Sequence, residues 1–194
     1  MYYVILAIIA IIVIVLGART NMLRDVVTDQ QTFMANANTG NIKNPQAPYS
    51  WSRTQLAFWT VIIISSFLHL LFKYRFDVPE LNTVNLILLA ITVATTASAK
   101  LIDDSQKNNS NLSQDHPSEG FLRDILSDKN GITIHRLQNV LWTVAIGILY
   151  VHYVGVQNGM PDDTVITDNL LILMGISTGA YIGLKTTENS KPTN

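Results

Sequence analysis

His69 and His152 are the ionisable side chains that fall inside long apolar stretches of this chain, and an ionisable group at membrane depth is a functional candidate by default. Both belong to one constellation that occurs twice. At an offset of 83 residues, Arg53, Gln55, Trp59 and His69 fall on Arg136, Gln138, Trp142 and His152, while Thr60, Val61 and Ile63 match Thr143, Val144 and Ile146. Helical periodicity returns Gln55, Trp59 and His69 to one face, and Gln138, Trp142 and His152 likewise. An imidazole near the outer end of a span can snorkel or bond a backbone carbonyl. The sharper chemistry is a proton relay or a two-histidine metal pair, a weak ligand set by itself. Arg53 and Arg136 open their helices, where a cation opposes the macrodipole and calls for lipid phosphate or a nearby aspartate. Ser52 and Gln55 have capping-box spacing.

A second signature also occurs twice. Met22–Asp29 and Phe121–Asp128 both read apolar, Leu-Arg-Asp, two apolar, hydroxyl, Asp. The apolar positions share a helical face opposite Arg24 and Asp25, or Arg123 and Asp124, which predicts a short helix lying on the inner membrane surface. Such a segment is an interfacial connector or, with Arg24, Asp25, Asp29, Arg123, Asp124 and Asp128, a docking surface for a cytoplasmic protein or a sister subunit. Asp128-Lys129-Asn130-Gly131 reads as a turn and lacks the further ligands of a calcium loop.

Small residues form the third pattern. Gly175, Gly179 and Gly183 recur every fourth residue, as do Ala90, Ala94 and Ser98, giving smooth helix faces that allow close approach of another backbone. They serve packing within the monomer, assembly of subunits, or a pore lined by Thr92, Thr95, Thr96, Ser98, Ser177 and Thr178.

The elements that carry these residues follow from composition. Among 194 residues, 48% are hydrophobic and 14% charged, against about 25% charged in a soluble domain. Apolar runs at about Tyr2–Gly17, Thr54–Phe72, Val84–Ala99, Leu137–Val156 and Asn169–Leu184 approach the length needed to cross roughly 30 Å of hydrocarbon as helix. Eleven of the 13 Lys and Arg fall in residues 18–53, residues 100–136 and the tail, which places those segments in the cytoplasm and the N-terminus outside. Tyr2, Tyr3, Phe72, Tyr74, Phe76, Tyr150 and Tyr153 are then expected at the outer boundary. The formal charge of −1 leaves nothing to hold nucleic acid, and the absence of cysteine removes thiolate metal sites and nucleophiles. No phosphate loop, dinucleotide motif or catalytic triad spacing occurs, so neither enzymatic activity nor a cofactor or metal is expected.

The expected fold is an all-α polytopic membrane bundle of five transmembrane helices. An N-terminal anchor (1–18) precedes a first repeat (19–101), a polar linker (102–120) and a second repeat (121–194). Thr28–Asn44 and Ser105–Gly120 read as flexible polar segments. Each repeat returns the chain to its starting side, so a pseudo-twofold along the membrane normal is expected.

The stretches PYSWSRTQLAFWT, GFLRDILSDKNGITIHRLQNVLWT and LLILMGISTGAYIGLK together resemble a group of uncharacterised bacterial multi-pass membrane proteins that carry versions of the same motifs. The resemblance implies a bacterial inner-membrane location and a recurrent scaffold, and brings no activity or substrate. The expected function is a membrane scaffold or anchor in the lipid bilayer that forms homo-oligomers or docks a cytoplasmic partner. An oligomeric channel is the alternative.

Overall fold

The computed structural model of the chain describes residues 1–105, 115–128 and 131–188. The middle of the polar linker (106–114), the Lys129–Asn130 turn and the tail from 189 onward lie outside the described residues. The elements run α1 (Tyr2–Arg19), α2 (Gln30–Thr39), α3 (Trp51–Lys73), α4 (Thr83–Ser105), α5 (Phe121–Leu126), β1 (Ser127–Asp128), β2 (Gly131–Ile132), α6 (Ile134–Gln157) and α7 (Asp168–Glu188). Strands β1 and β2 form one antiparallel pair, with Ser127 opposite Ile132.

Four described helices, α1, α3, α4 and α6, are long and apolar enough to cross a membrane. The expected fifth span, α7, is absent from that group: three glycines, Ser177, Thr178 and Lys185 dilute its apolar residues. The long helices after α1 close a ring in the order α3, α4, α7, α6, and α1 leans on α3 and α6 from outside. Equivalent helices of the two repeats are therefore neighbours, α3 beside α6 and α4 beside α7. A twofold through such a ring would exchange diagonal helices, so the expected pseudo-twofold is not the one the helices adopt.

Trp59, Leu88, Ile146, Tyr150, Val154, Ile166 and Met174 form the buried core of the ring, toward the end that carries the α6–α7 turn. Tyr2 joins them, its ring tilted 5.4 Å from His69 and its hydroxyl 3.2 Å from Ser66 Oγ. Tyr2 and Tyr150, expected in an interfacial belt, are thus buried, while Tyr3, Phe72, Tyr74 and Phe76 remain exposed. Glycine sets the distance of closest approach in two places. A methyl on Gly147 of α6 would stand well inside contact distance of the Phe58 ring, and one on Gly155 would collide with Tyr3.

Local structure departs from expectation in the first polar segment and at the start of α3. Residues 30–39 are helical because Asp29 caps them, its carboxylate accepting from the amides of Gln31 and Thr32 at 2.9 and 3.3 Å, and because Phe33 and Ala37 are buried one turn apart. N-cap carboxylates satisfy amides that have no partner inside the helix. The capping box expected at Ser52 does not form. Helix α3 starts two residues earlier, with Ser50 as its N-cap, and Gln55 turns inward to another helix.

Candidate functional site

The two octapeptides fold differently despite one pattern. Phe121–Leu126 is helical, as expected, whereas Met22–Asp29 is turn and extended chain, joined to Tyr49 by an antiparallel bridge at Arg24. The cause lies in Arg24. Its guanidinium donates to Ala47 O and Gln46 Oε1 and lies 4.1 Å from the Tyr49 ring centroid, leaving 6% of the residue exposed. Asp124 grips the same segment from the other copy: its carboxylate accepts from Tyr49 N at 3.0 Å, Glu119 N at 2.9 Å and the Ser118 hydroxyl at 2.5 Å. Arg24, Asp29 and Asp124, expected on a docking surface, instead knit the inner face together, and Asp25 and Asp128 are half-buried. Arg123 does face outward, paired with Glu119 at 2.6 Å.

Asp115, which sequence reading passed over, ties this layer down. One carboxylate oxygen accepts from Thr28 N and Asp29 N at 2.7 and 3.0 Å, and its carbonyl accepts from Asn36 at 2.9 Å. The Thr32 hydroxyl, with the amides of Thr32 and Gln31, holds the Asp29 carboxyl below the usual aspartate range. Outside the far end of the ring, the Thr164 hydroxyl does the same for Asp162.

The repeated polar positions divide between the two copies. Gln55, Trp59 and His69 are buried, whereas Gln138 and His152 are exposed and Trp142 is half-buried. The buried face of α6 consists of Arg136, Asn139, Thr143, Ile146, Tyr150 and Val154, one residue out of step with the face of α3 that buries Gln55, Trp59 and His69. One residue is about 100° of rotation. This rotation follows from the ring, because helices placed side by side must face their shared centre from different directions. His69 Nε2 lies 3.2 Å from Asn158 Oδ1 beneath Tyr2, while His152 lines an apolar groove of about 760 Å³ between α1, α3 and α6. The pair shares no site, and among the described residues no group of three metal-ligating side chains occurs.

Within the ring, Gln55 donates to Thr143 Oγ1 at 2.8 Å and to Asn139 Oδ1 at 3.2 Å, and Asn139 donates to Ser177 O at 3.3 Å. This network links α3, α6 and α7. Thr92, Thr95, Ser177 and Thr178, expected to line a pore between subunits, are buried inside the chain. The hydroxyls of Thr92, Thr95 and Thr96 donate to Leu89 O, Ile91 O and Thr92 O on their own helix.

Below the network lies a polar cavity of about 510 Å³, walled by Asp25, Tyr49, Asp124, Arg136, Tyr181 and Lys185 among others. Lys185, with 3% of its surface exposed, pairs with Asp103 Oδ1 at 2.9 Å and thereby joins the C-terminal ends of α4 and α7. Arg136 lies 5.4 Å from the Tyr181 ring centroid, a desolvated cation–π contact. The Lys185–Asp103 pair and Asn139 were missed at the level of sequence. Asn139 and Thr143 sit four apart on one face of an apolar helix, and that spacing was the available signal.

The small-residue faces point away from the ring. Gly179 and Gly183 are exposed and Gly175 is half-buried, and a methyl on any of the three would meet nothing within 4 Å. Ala90 and Ala94 are exposed as well, with Ser98 half-buried. Packing within the monomer is thus not what these residues do. Comparison with protein-family models, curated proteins and solved structures returns no match to the chain.

Proposed function

We propose that this chain is a non-enzymatic membrane scaffold that assembles with copies of itself through the glycine face of α7. The outward glycine face carries the reading. Glycine in a helix interior costs roughly 1 kcal/mol against alanine, and on the four-residue stripe Gly175 and Gly179 have open space within 4 Å of an added methyl, which marks a surface shaped for close helix approach in lipid. At 21 residues α7 is about 31 Å long, enough to cross the bilayer beside α6 as a fifth span. The distribution of Lys and Arg supports an N-terminus outside and an α2–α5 layer on the cytoplasmic side, and the resemblance noted above implies that the membrane is a bacterial inner membrane. There the exposed Arg123 edge of that layer is the surface left for a cytoplasmic partner.

Gly179→Leu tests the proposal by native mass spectrometry and crosslinking in nanodiscs. The expected result is a folded monomer in place of an oligomer. An unchanged oligomer at normal yield would mean that the glycine face meets lipid, and assembly through α7 fails.

A further inference from the structure

We propose that the half of the ring nearest Lys185 is a hydrated vestibule, entered from the polar cavity and closed at mid-bilayer by apolar side chains. Its ligand is water. Arg136 and Tyr181 line the cavity, and one helical turn deeper each gives way to a polar residue: Asn139 on α6, and Ser177 and Thr178 on α7. A further turn in stand Gln55 and Thr143, bonded to one another. Polar groups therefore continue from the cavity into the ring without an apolar layer between them.

The second observation is that Gln55 Oε1, Ser177 Oγ and Thr178 Oγ1 are fully buried and have no hydrogen-bond partner among the described residues, and neither has Trp59 Nε1 at the next level. The residues that carry them are at most 5% exposed. Unmet polar atoms inside hydrocarbon are strongly unfavourable, and side chains that could have been apolar at these positions are not. The set mixes acceptors, hydroxyls and one indole donor and carries no charge. A cation would have to pass Arg136 and Lys185 and then find no carboxylate; water can both donate and accept, and fits every group present.

The closure follows from the same helices. Beyond Thr143 comes Ile146, beyond Thr178 comes Met174, and Leu88 and Tyr150 complete the layer, with Leu88, Met174 and Tyr150 wholly buried. The polar groups past that layer already have partners, the Tyr150 hydroxyl donating to Asn85 Oδ1 and the Tyr2 and Ser66 hydroxyls lying 3.2 Å apart, so they leave no open site for water arriving at Gln55. This makes the interior a dead-end pocket rather than a conduit.

The proposal rests on the reading of α3, α4, α6 and α7 as spans, and the absence of cysteine makes it directly testable. Single variants Ser177→Cys, Thr178→Cys, Met174→Cys and Ile146→Cys are reacted with an anionic, membrane-impermeant methanethiosulfonate added to one side of the membrane at a time. Only a hydrated thiol ionises and reacts readily, so Ser177→Cys and Thr178→Cys should label from the Lys185 side at least about tenfold faster than Met174→Cys and Ile146→Cys. From the opposite side all four should stay unlabelled. Labelling of Ser177→Cys and Thr178→Cys as slow as that of Met174→Cys would show a dry interior and overturn the proposal. Labelling from both sides would overturn the closed end and favour a channel. Ser190→Cys reports which side the tail occupies, so a wrong orientation appears there and not as failure of the vestibule.

Discussion

Two sets of glycines on adjacent helices have opposite meanings in this fold. On α6, Gly147 and Gly155 lie against Phe58 and Tyr3, where no side chain fits. On α7, Gly175, Gly179 and Gly183 have open space around every missing methyl. The regular four-residue spacing belongs to the open set, and the irregular pair is the one that packs the monomer. Spacing therefore reveals a flat face, whereas only the ring geometry determines whether that face is already in use.

The sharpest way to break this comparison is to enlarge one glycine of each set. Gly147→Leu should lower the stability of the folded chain in detergent by about 1–3 kcal/mol, the range for overpacking a filled site, and Phe58→Ala in the same chain should restore part of the loss by vacating the volume the new side chain needs. Gly179→Ala should have the opposite sign, gaining up to about 1 kcal/mol from helix propensity in a monomer. Thermal or denaturant unfolding of solubilised protein reads both, and equal losses at the two sites would erase the distinction.

A smaller effect compares the two copies of the polar motif. Gln55→Leu should cost about 0.6–1.7 kcal/mol, the measured span for interhelical hydrogen bonds in membranes. Gln138→Leu, at the matching but exposed position, should stay within roughly 0.5 kcal/mol of the parent. The smallest expected effect lies in the inner layer. The Asp29 carboxyl is held below the ordinary aspartate value of about 3.9, so its capping contribution is complete above that value and disappears as pH falls through the lower, folded value. Amide exchange of Gln31 and Thr32 should quicken across that acid window, and Asp29→Asn should remove the pH dependence.

The all-helical character was legible in the sequence, because long apolar runs with sparse charge have few alternatives. The helix ends were less so, since α2 depends on Asp29 capping and on burial of Phe33 and Ala37, which polar composition concealed. The repeat was legible as sequence and misleading as structure. Matching residues predict matching faces only when the two helices meet equivalent neighbours, and α1 packs far more closely on α3 than on α6. Arg24 and Asp124 illustrate the same limit: both belong to Leu-Arg-Asp, yet one copy uses its arginine and the other its aspartate to hold residues 46–49. Long-range partners such as Asp103 for Lys185, 82 residues apart, leave no periodic trace at all.

The bond between Tyr2 and Ser66 spans 64 residues of chain, and this separation sets an order of events during synthesis. At roughly 5–20 residues per second, the stretch from the end of α1 at Arg19 to Ser66 takes about 2–9 s, so α1 is complete for that long before Ser66 exists. Through that interval α1 has only lipid for company, a state suited to a helix whose finished fold buries just Tyr2 and Gly17. Its docking must await the end of α3. The contact between Tyr3 and Gly155 comes later still, after α6, and Asn158 then reaches His69 and Tyr74. The end of the molecule that carries Tyr2 and the α6–α7 turn is thus a clasp that only a nearly complete chain can fasten.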